Sequence, residues 1–480
     1  MTIEFLQHTL FFPMMIHGLG FLSLSASLVL PWALTGLVQG QKITESLVKD
    51  VRQSFPVQQM SLPSRKLISQ VSTATTYYVS ATGNDRNSGL TTSSAFRTIQ
   101  RAADLTRPGD TVLIMNGEYT NAPGRGAVLG ISRSGTANAW IKFKAYPGHS
   151  PKIRHNTWNG IGFAKQVSYI EINGLEVIGN NANVTLSYAL SQKYNSSNVL
   201  TNGNCINLDG RGGGIHHIRI LNNKVHDCGG SGISATGADY VTVDNNTVYN
   251  NSWYSVYGTS GMSLLQNWNS DGNQGYKMFI TNNRVYNNRM YVPWIQRGVI
   301  TDGNGIIVDI SKSGTNGAYK GRTLIANNIS YKNGGSGILT HESEHVDIVN
   351  NTAYFNQQSP ELKKKGDIYA GYSSDIKIFN NIIYPSPGTN TNTNLYSNVM
   401  NRNVTYDYNL YPNLAVVIVR GIHDVIGDPQ FVNASNGDFH LRSSSPAINR
   451  GYYWSSLTSD FEGTPRPSGS GYDIGADEYR

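Results

Sequence analysis

An asparagine pair keeps returning along this chain. Asn222-Asn223, Asn245-Asn246, Asn282-Asn283, Asn327-Asn328, Asn350-Asn351 and Asn380-Asn381 each close a short β-branched run. Most are followed by a second short run, then by glycine and a hydrophobic residue. A repeat of this kind marks a solenoid, whose units bury their apolar faces only by stacking on one another. Chemistry on such a scaffold gathers along one face.

Three columns emerge when the repeats are stacked. A first strand opens at Ile206, Ile233, Met262, Ile306, Ile338 and Ile368, so successive copies start 27, 29, 44, 32 and 30 residues apart. A second strand ends at the asparagine pair, as in Ile218–Leu221, Val241–Asp244 and Val346–Val349. A third follows at once, as in Thr247–Tyr249, Arg284–Tyr286 and Thr352–Tyr354. Apolar residues alternate in these runs, so each strand shows one side to a core and one outward. Three short strands per turn describe an all-β, right-handed parallel β-helix, with coils about 4.8 Å apart. The second asparagine of each pair is expected to form a stacked ladder at a bend and to carry fold, not chemistry. Tyr249, Tyr286, Tyr331, Tyr354 and Tyr384, with His226 ahead of them, are expected to stack as a stabilising column.

The two ends of the repeat carry further motifs. They are Tyr77–Ser80 with Gly83-Asn84-Asp85, Phe96–Ala102 and Pro108–Val112 at the start. At the finish stand Asp428-Pro429, Asp438–Leu441, Ser445-Pro446-Ala447 and Asp473–Tyr479. Together with the repeat these resemble secreted right-handed β-helix proteins of polysaccharide-active type, and in particular family 9 pectate lyases. The likeness runs over residues 77–480 and implies one β-helix domain with N- and C-terminal caps.

Glycine (50 residues) and asparagine fit the tight corners of such a coil. Charged residues make up 14% and the net charge is +7, a mild excess that suits an acidic polymer. The lysines form no stripe, which argues against nucleic acid, and Lys363-Lys364-Lys365 reads as a solvated loop. Residues 1–41 contain no Lys or Arg and read as a signal peptide or an uncleaved anchor, with a polar linker over 42–76. Export to the medium or the cell surface is expected, with membrane attachment only if the first segment stays uncleaved. The chain is expected to be a monomer. Cys205 and Cys228 are expected as two buried thiols, a disulfide being the alternative.

Loop length points to the working face. Corners between second and third strands are uniformly two residues. Corners before the first strand swell at 251–260, 288–304 and 356–366, and corners after it swell at 266–277 and 310–322. The two sets are expected to wall a groove whose floor is the first-strand sheet, a shape that suits a polymer. Alternation puts Asp209, Thr236, Leu265, Asp309, His341 and Gly371 in one outward column. Asp309 and His341 then stand side by side as a proton-transfer pair, with Asp302 as a further catalytic candidate. Asp209, Asn304, Trp268, Lys277, Trp294, Arg297, Lys312 and Glu342 are candidates for substrate binding. Lys277, Arg297, Lys312 and Lys320 are alternatives to His341 as base.

In family 9 pectate lyases a lysine on this sheet is the base and aspartates bind calcium. The resemblance puts Ile307 at the lysine position and Thr259–Ser263 at the calcium coil, without the aspartates. No catalytic residue is therefore carried over. Asp302, Asn304 and Asp309 offer oxygens to Ca²⁺ but fall short of its six to eight ligands. Three functional readings stay open: a lyase cleaving a uronate polysaccharide by β-elimination, a β-helix glycoside hydrolase, and a non-catalytic glycan-binding or surface structural protein.

Overall fold

The computed structural model describes residues 73–480, apart from Asn316 and Leu414. The expected leader or anchor and nearly all of the linker lie outside the described residues. Among those described, no helix is long and apolar enough to cross a membrane.

Alternating β-branched runs do form three stacked parallel sheets. The first has eight strands, from Ala127–Ile131 to Ile368–Gly371; the second and third have eleven each. The register follows the expected columns: Ile206, Ile233, Met262, Ile306, Ile338 and Ile368 are successive lateral partners. Their side chains are buried in one continuous aliphatic core with Leu208, Leu264 and Val308. Burial of this kind is the main stabilising term, at roughly 25 cal/mol per Å² of apolar surface.

The asparagine pair divides two tasks. The first member takes the left-handed backbone conformation, with φ 53–58° at Asn222, Asn245, Asn282, Asn327, Asn350 and Asn380, which asparagine tolerates better than most residues. The second is buried and forms the ladder. Asn246 Oδ1 accepts from both the backbone and the side-chain N–H of Asn223, while Asn246 Nδ2 donates to Ile220 O at 2.9 Å.

A second ladder was not anticipated. Asn251, Asn288, Asn333 and Asn356 repeat the same geometry at the corner after the third strand. The signal was present in Tyr249-Asn250-Asn251 and Tyr286-Asn287-Asn288. It faded where Lys332 and Phe355 replace the left-handed asparagine, although both keep positive φ.

Cys205 and Cys228 are joined, which corrects the expectation of two thiols; their Cα atoms are 5.7 Å apart. Cys228 stands at the head of the second ladder, its N–H donating to Asn251 Oδ1. That corner turns in against the first-sheet strand Asn204–Asp209, which carries Cys205, so the two columns meet. The tyrosine column stacks as expected from His226 to Tyr331, with centroids 4.6–4.9 Å apart. It breaks before Tyr354, where Phe439 of the C-terminal cap packs against both Tyr331 and Tyr354.

Candidate active site

The long corners build two walls. The larger spans residues 179–203 and was not anticipated; it contains the short helices Leu186–Ser191 and Val199–Asn202. Thr185 and Asn198 cap these helices by accepting from the N–H of Tyr188 and Leu200. Asn202 Oδ1 then accepts from Val256 N at 2.9 Å, and Val184, Ala189, Tyr254, Val256 and Val292 form a small core. This packing delivers Tyr257 to the floor, its hydroxyl donating to Ser196 O at 3.0 Å. The opposite wall is tied through Asn269, which donates to Ala318 O and accepts from Lys320 N.

Between the walls lies a cleft of about 280 Å³ over the first sheet, lined in part by Trp158, Asn207, Asp209, Arg211, Tyr257 and Asp309. Two flat aromatic faces and a set of polar groups along successive coils suit a sugar chain. Trp158 belongs to a coil ahead of the asparagine repeat, and Arg211 stands in the corner after the strand Asn204–Asp209, where no period singles it out. Asp209 is held by the Arg211 guanidinium, which keeps its carboxyl below the usual range. It stands three coils from Asp309, about 14 Å at one strand spacing per coil.

At the other end of the cleft, Asp309 and His341 are partners in register, and His341 Nδ1 lies 3.1 Å from Asp309 Oδ1. Burial opposes the imidazolium, but the Asp309 hydrogen bond and charge, with Glu342 behind, outweigh it and leave the His341 pKa raised. Tyr372 packs edge-on against the His341 ring at 5.7 Å. Asp302 lies in the turn leading into the Asp309 strand. Burial raises its carboxyl, against the attraction of Lys365.

Lys365 is the residue the sequence reading missed. Expected in a solvated loop, it is instead half-buried, and its amine donates to Thr301 O at 2.8 Å, next to Asp302. Burial lowers its pKa, and Asp302 and Asp309 only partly offset that. Lys363 and Lys364 are exposed as expected. Three adjacent lysines carry no period that singles one out.

Several binding candidates are placed elsewhere. Lys277 is buried in an ion pair with Asp239 at 2.6 Å and reaches Asp271 at 2.9 Å. It sits in the strand Tyr276–Thr281, not in the loop, so it is no groove cation. Asn304 is fully buried: its amide oxygen accepts from Ser336 N, and its amide nitrogen donates to Ser260 Oγ and Asp302 Oδ1. It positions Asp302 and does not face substrate. With Asn304 committed, two carboxylates remain for Ca²⁺, one of them beside Lys365, so this donor set does not fit a calcium ion. Trp268 packs over Gly213 and near His216, away from the cleft lining. Trp294 and Arg297 stack on each other in the outer part of their loop. Lys312 and Glu342 are joined by a backbone hydrogen bond of 3.0 Å at the first corner beyond His341, and Lys320 is exposed.

Solved structures share this architecture. A crystal structure of pectate lyase Pel9A matches with a TM-score of 0.53 and 18% identity, over 84% of this chain and 96% of that one. A rhamnogalacturonan lyase matches with a TM-score of 0.46 and 17% identity, over 70% and 87%. No curated protein sequence matches the chain. The Pel9A-like right-handed β-helix model matches residues 77–371, well over half of the sequence, so the chain belongs to that family.

Proposed function

We propose that the protein is a polysaccharide lyase that cleaves an acidic, uronate-containing glycan by β-elimination. The observation that carries this reading is the Lys365 amine, half-buried beside Asp302 and Asp309 with its pKa lowered, next to a His341 whose pKa is raised. The two shifts assign the roles. A lysine driven toward the neutral amine is the base. A histidine driven toward the imidazolium is the acid and the partner for the uronate carboxylate. This replaces His341 as base.

In the reaction the Lys365 amine takes the C5 proton. The C5–H electrons form the C4–C5 double bond as the C4–O bond breaks. The leaving oxygen takes a proton from His341, whose charge Asp309 has supported. Trp158, Tyr257 and Arg211 line the cleft along successive coils and offer stacking faces and a cation for sugars further along the chain. The Cys205–Cys228 disulfide supports export, since such bonds persist in oxidising surroundings.

A second reading, hydrolysis, draws on Asp302, whose raised carboxyl near Asp309 has the character of a general acid. The full chain is tested on uronate and neutral polysaccharides, following ultraviolet absorbance of unsaturated product together with new reducing ends. Both signals on a uronate polymer, abolished by Lys365→Met, are the expected result. Reducing ends alone favour hydrolysis. Neither signal on any polymer overturns both.

A further inference from the structure

The C-terminal cap, which packs on the second and third sheets, gathers a separate set of metal-ligating groups. His440 is on the hairpin strand Asp438–Leu441, Glu462 is in the turn after Asp460, and Asp477 is in the terminal stretch. One ligand atom from each lies within 4.8 Å of the other two. All three line one pocket of about 200 Å³, bounded by Arg284, Phe439 and Phe461.

Ligand geometry and one buried carboxylate without a donor point to a cation here. His440 Nδ1 lies 2.6 Å from Asp438 Oδ1 and Nε2 lies 3.0 Å from Glu462 Oε1, so one carboxylate orients the ring and its other nitrogen faces a second. A ring proton makes this contact in the metal-free protein, and a metal ion held by Nε2 and Oε1 would take its place. Asp477 is only 8% exposed, yet among the described residues no group donates to its carboxylate. Two of the guanidiniums nearby are engaged elsewhere, and the third reaches only Glu462 among the three ligands. Arg284 donates to Gly437 O and covers the Phe461 ring, Arg466 holds Glu478, and Arg480 reaches the other oxygen of Glu462 at 3.4 Å.

We propose that His440 Nε2, Glu462 and Asp477 bind a divalent metal ion of the zinc type, which staples three segments of the C-terminal cap together. One imidazole with two carboxylates suits Zn²⁺, whereas Ca²⁺ takes six to eight oxygens. Tetrahedral ligands at about 2.0 Å from zinc stand about 3.3 Å apart, close to the His440–Glu462 separation already present. Asp438 orients the ring through the nitrogen that zinc does not use, as carboxylates behind metal-bound histidines do. Water completes the coordination from the open side of the pocket.

The test uses the full chain, stripped with chelator and titrated calorimetrically with Zn²⁺ alone and with Ca²⁺ alone, followed by thermal unfolding with and without each metal. One equivalent of Zn²⁺ should bind and raise the unfolding temperature. His440→Ala and Asp477→Asn should abolish binding, and Asp438→Asn should weaken it about 10- to 100-fold. The His440 side chain is half exposed, so its variant keeps the fold and isolates the metal effect. Absence of saturable Zn²⁺ binding, or binding undiminished in His440→Ala, overturns the site and leaves a proton between His440 and Glu462. Saturable binding of Ca²⁺ with none of Zn²⁺ overturns the zinc assignment.

Discussion

Asp309 and His341 come from strands 32 residues apart in sequence, and parallel register makes them neighbours, with Oδ1 and Nδ1 at 3.1 Å. The carboxylate holds the imidazole toward its charged form. In Asp309→Asn the His341 pKa should fall, because both the ionic hydrogen bond and the charge are lost. An NMR titration of the ring measures it. The sign for stability follows. A raised folded-state pKa contributes stability that is fully present below the unfolded value of about 6.5 and is lost as pH rises through the folded value. The variant should lack that component, so the difference in unfolding temperature between it and the native protein should shrink as pH rises.

Lys365→Met should abolish eliminative cleavage while thermal unfolding is essentially unchanged, since the amine is held by one carbonyl and its burial opposes its charge. Lys365→Arg should be equally inactive, because arginine keeps the cation but does not deprotonate. The pair of variants separates a base from a charge. A merely electrostatic role for Lys365 predicts rescue by arginine.

The alkaline rise of activity should follow the Lys365 amine. Asp302 acts to raise the Lys365 pKa. Asp302→Asn removes that influence, so the rise in kcat/KM should move to lower pH. Measuring the pH–rate profile of both proteins on one uronate polymer checks the direction.

Lys277→Met should destabilise the protein by about 3–5 kcal/mol, the usual cost of leaving a buried carboxylate without its partner. Asp239 is fully buried and also accepts from Tyr319 at 2.7 Å. Replacing Asp239 with leucine as well should recover part of the loss. Denaturant unfolding of the single and double variants measures it. Glycan binding should be unaffected, as this lysine lies outside the cleft.

Asn283→Ala should cost about 2–4 kcal/mol. It removes the side-chain donor to Val243 O and the acceptor for Asn246 N, leaving both buried groups unpaired. Asn222→Ala should cost less, because its role is a backbone conformation and a hydrogen bond to Asn173 at the exposed surface. Unfolding midpoints of the two variants give the order.

The sequence by itself determined the coil. Asparagine pairs, period-two apolar runs and two-residue corners are local patterns. Stacking turns them into register without further information, so Ile206 through Ile368 align and Asp309 meets His341. The tertiary structure alone decided which polar groups are free. Lys277 and Asn304 have the residue types of a binding groove, yet strand direction and the neighbouring coil bury them. Lys365 lies in a run of three lysines that sequence cannot tell apart, and only the fold of its loop turns that amine toward Asp302. Likewise Cys205 with Cys228, and His440 with Glu462 and Asp477, meet through corners and a cap whose paths no period encodes. Periodicity specifies backbone stacking, because every coil repeats it. Solvation and charge at a site depend on loops that each occur once.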